Sequence, residues 1–238
     1  DGHTLLCLIG TGIVQTVLRD KLPYKLSNFA PIVGIGGFPL GLAVSATATP
    51  KIRNIQELTE VARSADGISY ASGGIGTVAH LNTVRFLKAI QGKGVHVSYR
   101  NNPEGLNALV GGFTQMMFGS VQEVAALRAD DKLRVLGVTS EHRLSTLPDV
   151  PTMRELGFPD INPTLWYGYV APVGTPPAIV SRLADAITRA VRDPAFQSRY
   201  KPLSFVEDIR TGDALTSFIR NEAARWKEVI TENRIQVE

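Results

Sequence analysis

The 238-residue chain is poor in the groups that staple or metallate a fold: one cysteine, Cys7, and four histidines, His3, His80, His96 and His142. One thiol makes no internal disulfide and no cysteine-rich metal site. No two histidines stand at a metal-ligand spacing. No run approaches the ~18 consecutive apolar residues of a membrane span; the longest, such as Leu5 to Ile9, are strand-sized. Basic residues never form a run of five, and 25 Lys and Arg nearly balance 22 Asp and Glu. This excludes the electrostatic footprint of a nucleic-acid binder. No Gly-x-Ser-x-Gly elbow occurs, so hydrolase chemistry has no visible nucleophile. Cys7 lies in an apolar strand, where a buried, inert thiol is expected. Asp130-Asp131, between a helix and a strand, reads as a solvated turn. The chain opens Asp1-Gly2 without Met or leader, so the natural start, with any secretion signal, is expected to have been removed.

What is present is an alternation of strand-like and helix-like runs, the pattern of an α/β fold. Thr4–Ile9 predicts a strand, followed by a Gly10-Thr11-Gly12 loop and a short helix. Pro31–Val44 predicts an extended stretch with a turn near Gly36-Gly37. Asn54 and Glu57 form a capping-box pattern, as do Ser120 and Glu123. Strands are predicted at Ile68–Ser72, Val95–Tyr99, Gln115–Phe118, Leu133–Thr139 and Trp166–Ala171. Helices are predicted from Thr77 to Gln91, after Pro103, from Thr175-Pro176-Pro177 to Arg192, and from about Thr211. Ser145–Pro163 reads as a proline-rich crossover with a helical piece at Arg154-Glu155. Crossings near Val44–Pro50 and Pro163–Trp166 divide the chain into an outer lobe, residues 1–44 and 166–238, and a middle lobe, residues 45–165.

The strongest chemical feature is Ser72-Gly73-Gly74-Ile75-Gly76-Thr77, between a strand and a helix. A glycine loop there frees backbone N–H groups, and the helix N-terminus carries a partial positive charge, which suits a carboxylate or phosphate. Ser72 and Thr77 add hydroxyls, and His80 follows one turn on. The plainer alternative is a tight turn capped by Thr77. Gly74-x-Gly76-x-x-Ala79 also matches a dinucleotide fingerprint. The acid expected about 20 residues on is absent, and Arg100 stands there instead, so an NADP-dependent enzyme is the alternative function. Trp166, Tyr167 and Tyr169 either line a pocket or belong to the core.

Tyr70-Ala71-Ser72-Gly73-Gly74-Ile75-Gly76-Thr77-x-x-His80-Leu81 resembles the signature loop of the tripartite tricarboxylate transporter receptors, the Bug receptors. Asp1-Gly2-His3-Thr4-Leu5-Leu6, Lys21-Leu22-Pro23-Tyr24, Leu109-Val110-Gly111-Gly112, Leu147-Pro148-Asp149-Val150-Pro151-Thr152 and Arg225-Trp226 extend the likeness in order along the chain. The resemblance implies a periplasmic solute receptor, not an enzyme, with a two-lobe type II periplasmic-binding-protein-like fold and no cofactor or metal. Its partners would be a small carboxylate and membrane transporter subunits. Carried over, Ser72, Gly73, Gly74, Gly76, Thr77 and His80 form a carboxylate cradle, with Thr11, Phe38 and Trp166 opposing it. Where relatives often carry acids after the double glycine, this chain has Gln115 and Gly119. A dicarboxylate or aromatic acid is therefore expected over an amine-bearing ligand. Relatives also carry a strand and a Pro-Gly-Gly loop before the Asp-Gly start. Without that βα unit the outer lobe is expected to be incomplete, to self-associate through its open edge and to bind weakly; a relative that has lost ligand binding is the further alternative.

Overall fold

Strands form where β-branched and apolar residues cluster between glycines, and helices where an Asn, Thr or Pro cap precedes an apolar stripe. The computed structural model describes residues 3–128, 131–161 and 164–236. In chain order its elements are β1 (Leu6–Ile9), α1 (Gly10–Leu18), β2 (Phe29–Ser45), α2 (Ile55–Arg63), β3 (Ile68–Ser72), α3 (Val78–Ala89), β4 (Gly94–Ser98) and α4 (Asn102–Val110). Then follow β5 (Met116–Ser120), α5 (Val121–Arg128), β6 (Leu133–Val138), β7 (Thr164–Pro172), α6 (Pro177–Arg192), α7 (Pro194–Tyr200), β8 (Val206–Thr211) and α8 (Gly212–Glu232). The chain divides into two compact units, residues 39–164 and residues 1–38 with 165–238. The sequence reading set these crossings at 44/45 and 165/166.

In the unit of residues 39–164 the strands lie in the order β6-β2-β5-β3-β4. β3 pairs in parallel with β4 and with β5, while β5 and β6 pair antiparallel with β2. The chain leaves β3 for β4 on one side and returns to β5 on the other. The two crossover helices therefore cover opposite faces. On one face Phe86 of α3 meets Phe118 edge-on, with ring centroids 5.9 Å apart. On the other, Leu106 and Leu109 of α4 pack with Ala71 and Met117. Burying each such side chain contributes about 1.5–3 kcal/mol. The C-terminal ends of β3 and β5 thus flank a switch point, where open α/β sheets leave a crevice.

In the other unit β1 pairs antiparallel with β7, β7 neighbours β2, and β8 pairs antiparallel with β2. Leu8, Ile13, Trp166, Val170, Leu215 and Ile219 form one apolar cluster. Ile32, Val33, Ala171, Ala184, Val191 and Phe205 form another.

Several expectations need correcting. No turn interrupts residues 31–44: β2 runs through 17 residues, and its glycines accommodate a bulge where the register against β8 shifts between Gly34 and Gly36. Gly10, Thr11 and Gly12 are not a loop but the first turn of α1, which packs on α8. Arg154-Glu155 is a turn, with the Glu155 carboxylate accepting the Thr152 N–H at 2.7 Å. α7 and β8 were not foreseen. Cys7 is exposed, because β1 turns three of its four residues outward; partial burial raises its thiol pKa, so the thiol is not activated. Of the Asp130-Asp131 pair, Asp130 lies outside the described residues, and Asp131 sits in a turn at φ 54°.

Candidate functional site

The glycine loop leaves the end of β3 at the switch point and enters α3. Gly74 and Gly76 take positive φ values, 124° and 75°, which turn the chain sharply. Gly73 approaches α4 so closely that a Cβ there would lie 2.7 Å from the Asn102 backbone nitrogen. Its N–H donates to Asn102 Oδ1 at 3.1 Å, which ties the loop to the start of α4.

The loop is closed on itself by side chains. Thr77, the N-cap of α3, accepts the His80 N–H at 3.2 Å and donates its hydroxyl to the Gly74 carbonyl at 2.9 Å. Gly74 donates its N–H to Ser72 Oγ at 3.2 Å, and Gly76 donates to His80 Nδ1 at 3.2 Å. Ser72 and His80 are both buried. Among the cradle residues expected from sequence, all six are thus brought together, but Ser72 and His80 shape the loop from beneath. The amides of Gly73, Gly74 and Gly76 point at internal acceptors. Within this loop and the first turn of α3, the backbone N–H groups with no acceptor among the described residues are those of Ile75, Val78 and Ala79. Val78 and Ala79 are the first two helical positions, whose N–H groups have no partner within a helix.

Sequence spacing missed the layer below. Register pairs Tyr70 of β3 with His96 of β4, and α3 lays His80 over them. The His80 and His96 rings stack with centroids 4.1 Å apart; Tyr70 lies 5.0 Å from His96 and 6.1 Å from His80. His96 Nε2 is 2.7 Å from Ser72 Oγ. Burial, reinforced by the charge of His96, lowers the His80 pKa from 6.5 to about 3, and burial lowers that of His96. Burial pushes the Tyr70 phenol up to about 12, so it stays neutral.

The other three expected residues belong to the unit of residues 1–38 and 165–238. Thr11 is half-buried in the first turn of α1. Phe38 packs edge-on against Tyr167 and Phe205, at 6.0 and 5.4 Å. Trp166 is a core residue, 5% exposed, with its ring against Gly34 and Phe218. Gln115 lies at the opposite end of β5 from the loop, where its carboxamide oxygen accepts the Ser69 N–H at 2.8 Å. It therefore has no bearing on a ligand amine at the crevice, which removes part of that argument. Among the described residues no His, Cys, Asp and Glu group could hold a metal ion, and no helix is long and apolar enough to cross a membrane.

Two α/β units, one of them with a glycine loop at the switch point of its sheet, are the architecture of the type II periplasmic-binding-protein class. The sequence pattern of the tripartite tricarboxylate transporter family receptors matches residues 1–235, and the chain belongs to that family. It is 33% identical over 239 residues to a UPF0065 protein in the tcbD-tcbE intergenic region of Pseudomonas sp. strain P51, covering 99% of this chain and 70% of that one. Among solved structures, the periplasmic binding protein BugD superposes with a TM-score of 0.84 at 27% identity, covering 100% of this chain and 80% of BugD. MatC of Rhodopseudomonas palustris with bound malate superposes with a TM-score of 0.79 at 24% identity, covering 97% and 80%, and shares the fold. Members of this family are substrate-binding receptors rather than enzymes, so the NADP-dependent alternative falls.

Proposed function

We propose that the protein is a periplasmic receptor that captures a small carboxylate, a dicarboxylate or aromatic acid, and delivers it to the membrane subunits of a tripartite tricarboxylate-type transporter. The observation that carries this reading is the set of uncommitted N–H groups of Ile75, Val78 and Ala79 at the start of α3. They lie at the start of α3, where the helix dipole favours negative charge. The loop's other polar groups satisfy one another, so the site is built before a ligand arrives. Little ordering cost then opposes capture. The malate in the fold relative MatC is a ligand of the expected kind.

A thermal-shift panel of malate, adipate, citrate and benzoate, with NADP as the negative arm, tests the reading. A ligand at a hundred times its dissociation constant stabilises the folded state by ~2.7 kcal/mol, a readily measured shift. Stabilisation by none of the carboxylates would overturn it.

A further inference from the structure

Beneath the loop, His96 and His80 are stacked imidazoles with unequal hydrogen bonding. His80 Nδ1 already accepts the Gly76 N–H, so a proton added there would oppose another N–H and break the loop. His96 has no such conflict. With a proton on Nε2 it donates to Ser72 Oγ; the Ser72 hydroxyl then donates to the Gly74 carbonyl at 3.1 Å and still accepts the Gly74 N–H. This leaves His96 Nδ1, which has no acceptor or donor against it among the described residues, free for a second proton.

The surroundings permit one such charge and do not balance it. The groups facing His96 are Tyr70 and Ser72 from β3 and His80 from α3. A neutral imidazole and a phenol ring can lie against a cation, but a second imidazolium at a 4.1 Å centroid separation would repel it. Among the described residues no carboxylate pairs with either histidine. The counter-charge has to come from outside, and the loop that His96 supports through Ser72 is the place an anion is received.

We propose that His96 is a proton-linked positioning residue of the anion loop, taking up a proton as the loop receives an anion while His80 stays neutral. The inference rests on the reading of the loop as the anion site. Because the anion-bound form holds the His96 proton more tightly, the gain in affinity is complete below the free-protein titration point. It is lost as pH rises through the anion-bound one.

Histidine NMR titration of the intact protein, alone and with saturating malate or inorganic sulfate, tests this directly. The expected result is that His96 titrates before His80, that the Gly74 amide resonance follows His96, and that either anion raises the His96 midpoint by about one unit. Affinity for malate then rises by up to roughly tenfold as pH falls through the anion-bound His96 midpoint to below the free-protein one, and calorimetry in buffers of different ionisation heat shows proton uptake. His96→Gln, which keeps a donor toward Ser72, should bind malate with the pH dependence gone. If bound malate or sulfate leaves the His96 titration unmoved, or His96→Gln keeps the wild-type pH profile, the proposal is wrong. If sulfate moves the titration while no carboxylate binds, the proposal stands and the carboxylate reading fails.

Discussion

Gly76 donates its backbone N–H to Nδ1 of His80 across 3.2 Å, so a side chain on the first turn of α3 holds the loop that precedes it. The contact works only while that nitrogen is unprotonated. Burial keeps it so, with the His80 pKa lowered from 6.5 to about 3.

The unfolded chain consequently binds more protons than the folded one between about pH 6.5 and about pH 3. His80 contributes stability that is complete above the unfolded value and is lost as pH falls toward the folded one, at up to ~1.4 kcal/mol per pH unit. In His80→Asn an amide oxygen replaces Nδ1 as acceptor and the titration disappears. Urea unfolding from pH 7 to pH 4.5 should therefore give a flatter stability profile for the variant. An unchanged slope would show that His80 is not the group responsible.

Val78→Pro deletes one proposed carboxylate donor while keeping an apolar side chain at this buried position. Proline is favoured at the first helical position, and Thr77, with φ −74° and ψ 155°, already has the extended backbone that a following proline requires. The variant should fold, while malate affinity drops roughly tenfold to a hundredfold, the value of a hydrogen bond to a charged group. Val78→Ala keeps the N–H and should bind nearly as tightly as the wild type. Equal affinities for the two variants would remove the Val78 amide from the site.

Gly73→Ala puts a methyl group 2.7 Å from the Asn102 nitrogen and 2.5 Å from Asn102 Oδ1. Neither backbone can yield without moving the loop or the start of α4. Overpacking of this kind costs ~1–3 kcal/mol, and the displaced loop should lose most of its carboxylate affinity. Chemical denaturation and calorimetry on the same sample separate the two losses.

Trp166→Phe removes an indole Nε1 that is buried without an acceptor. Relief of that unsatisfied donor, ~1–3 kcal/mol, should offset most of the lost packing, leaving stability within about 1 kcal/mol of wild type. Trp166→Ala removes the same donor but leaves a large cavity in the cluster, and should cost more, up to ~3–5 kcal/mol. A thermal melt of both variants checks the ordering.

The central βαβαβ segment could be read from sequence because its signals are local. Ile68–Ser72 is bounded by glycines, Thr77 caps α3, and Asn54 accepts the Glu57 N–H at 2.9 Å as the capping pattern predicts. β8 escaped notice because Val206–Thr211 carries Glu207, Asp208 and Arg210 and alternates poorly; its strand character comes from pairing with β2. Gly10 and Gly12 read as a loop on propensity, whereas packing against α8 makes them helical. The loop itself was legible; its support was not. His80 and His96 are 16 residues apart in sequence, and only the parallel register of β3 and β4 together with the angle of α3 brings their rings into contact.

The division of the chain also sets an order of events during synthesis. One unit is built from residues 39–164 without interruption, whereas the other needs residues 1–38 to find partners after residue 164. At ~5–20 residues per second, the first segment waits on the order of ten seconds for β7, and longer for α8, whose Leu215 and Ile219 cover Leu8 and Ile13. During that wait the apolar first half of β2 has neither β7 nor β8 beside it. A nascent chain of this architecture therefore holds a folded, loop-bearing unit tethered to an unpaired, sticky strand, and a chaperone that shields extended apolar segments has its natural client there.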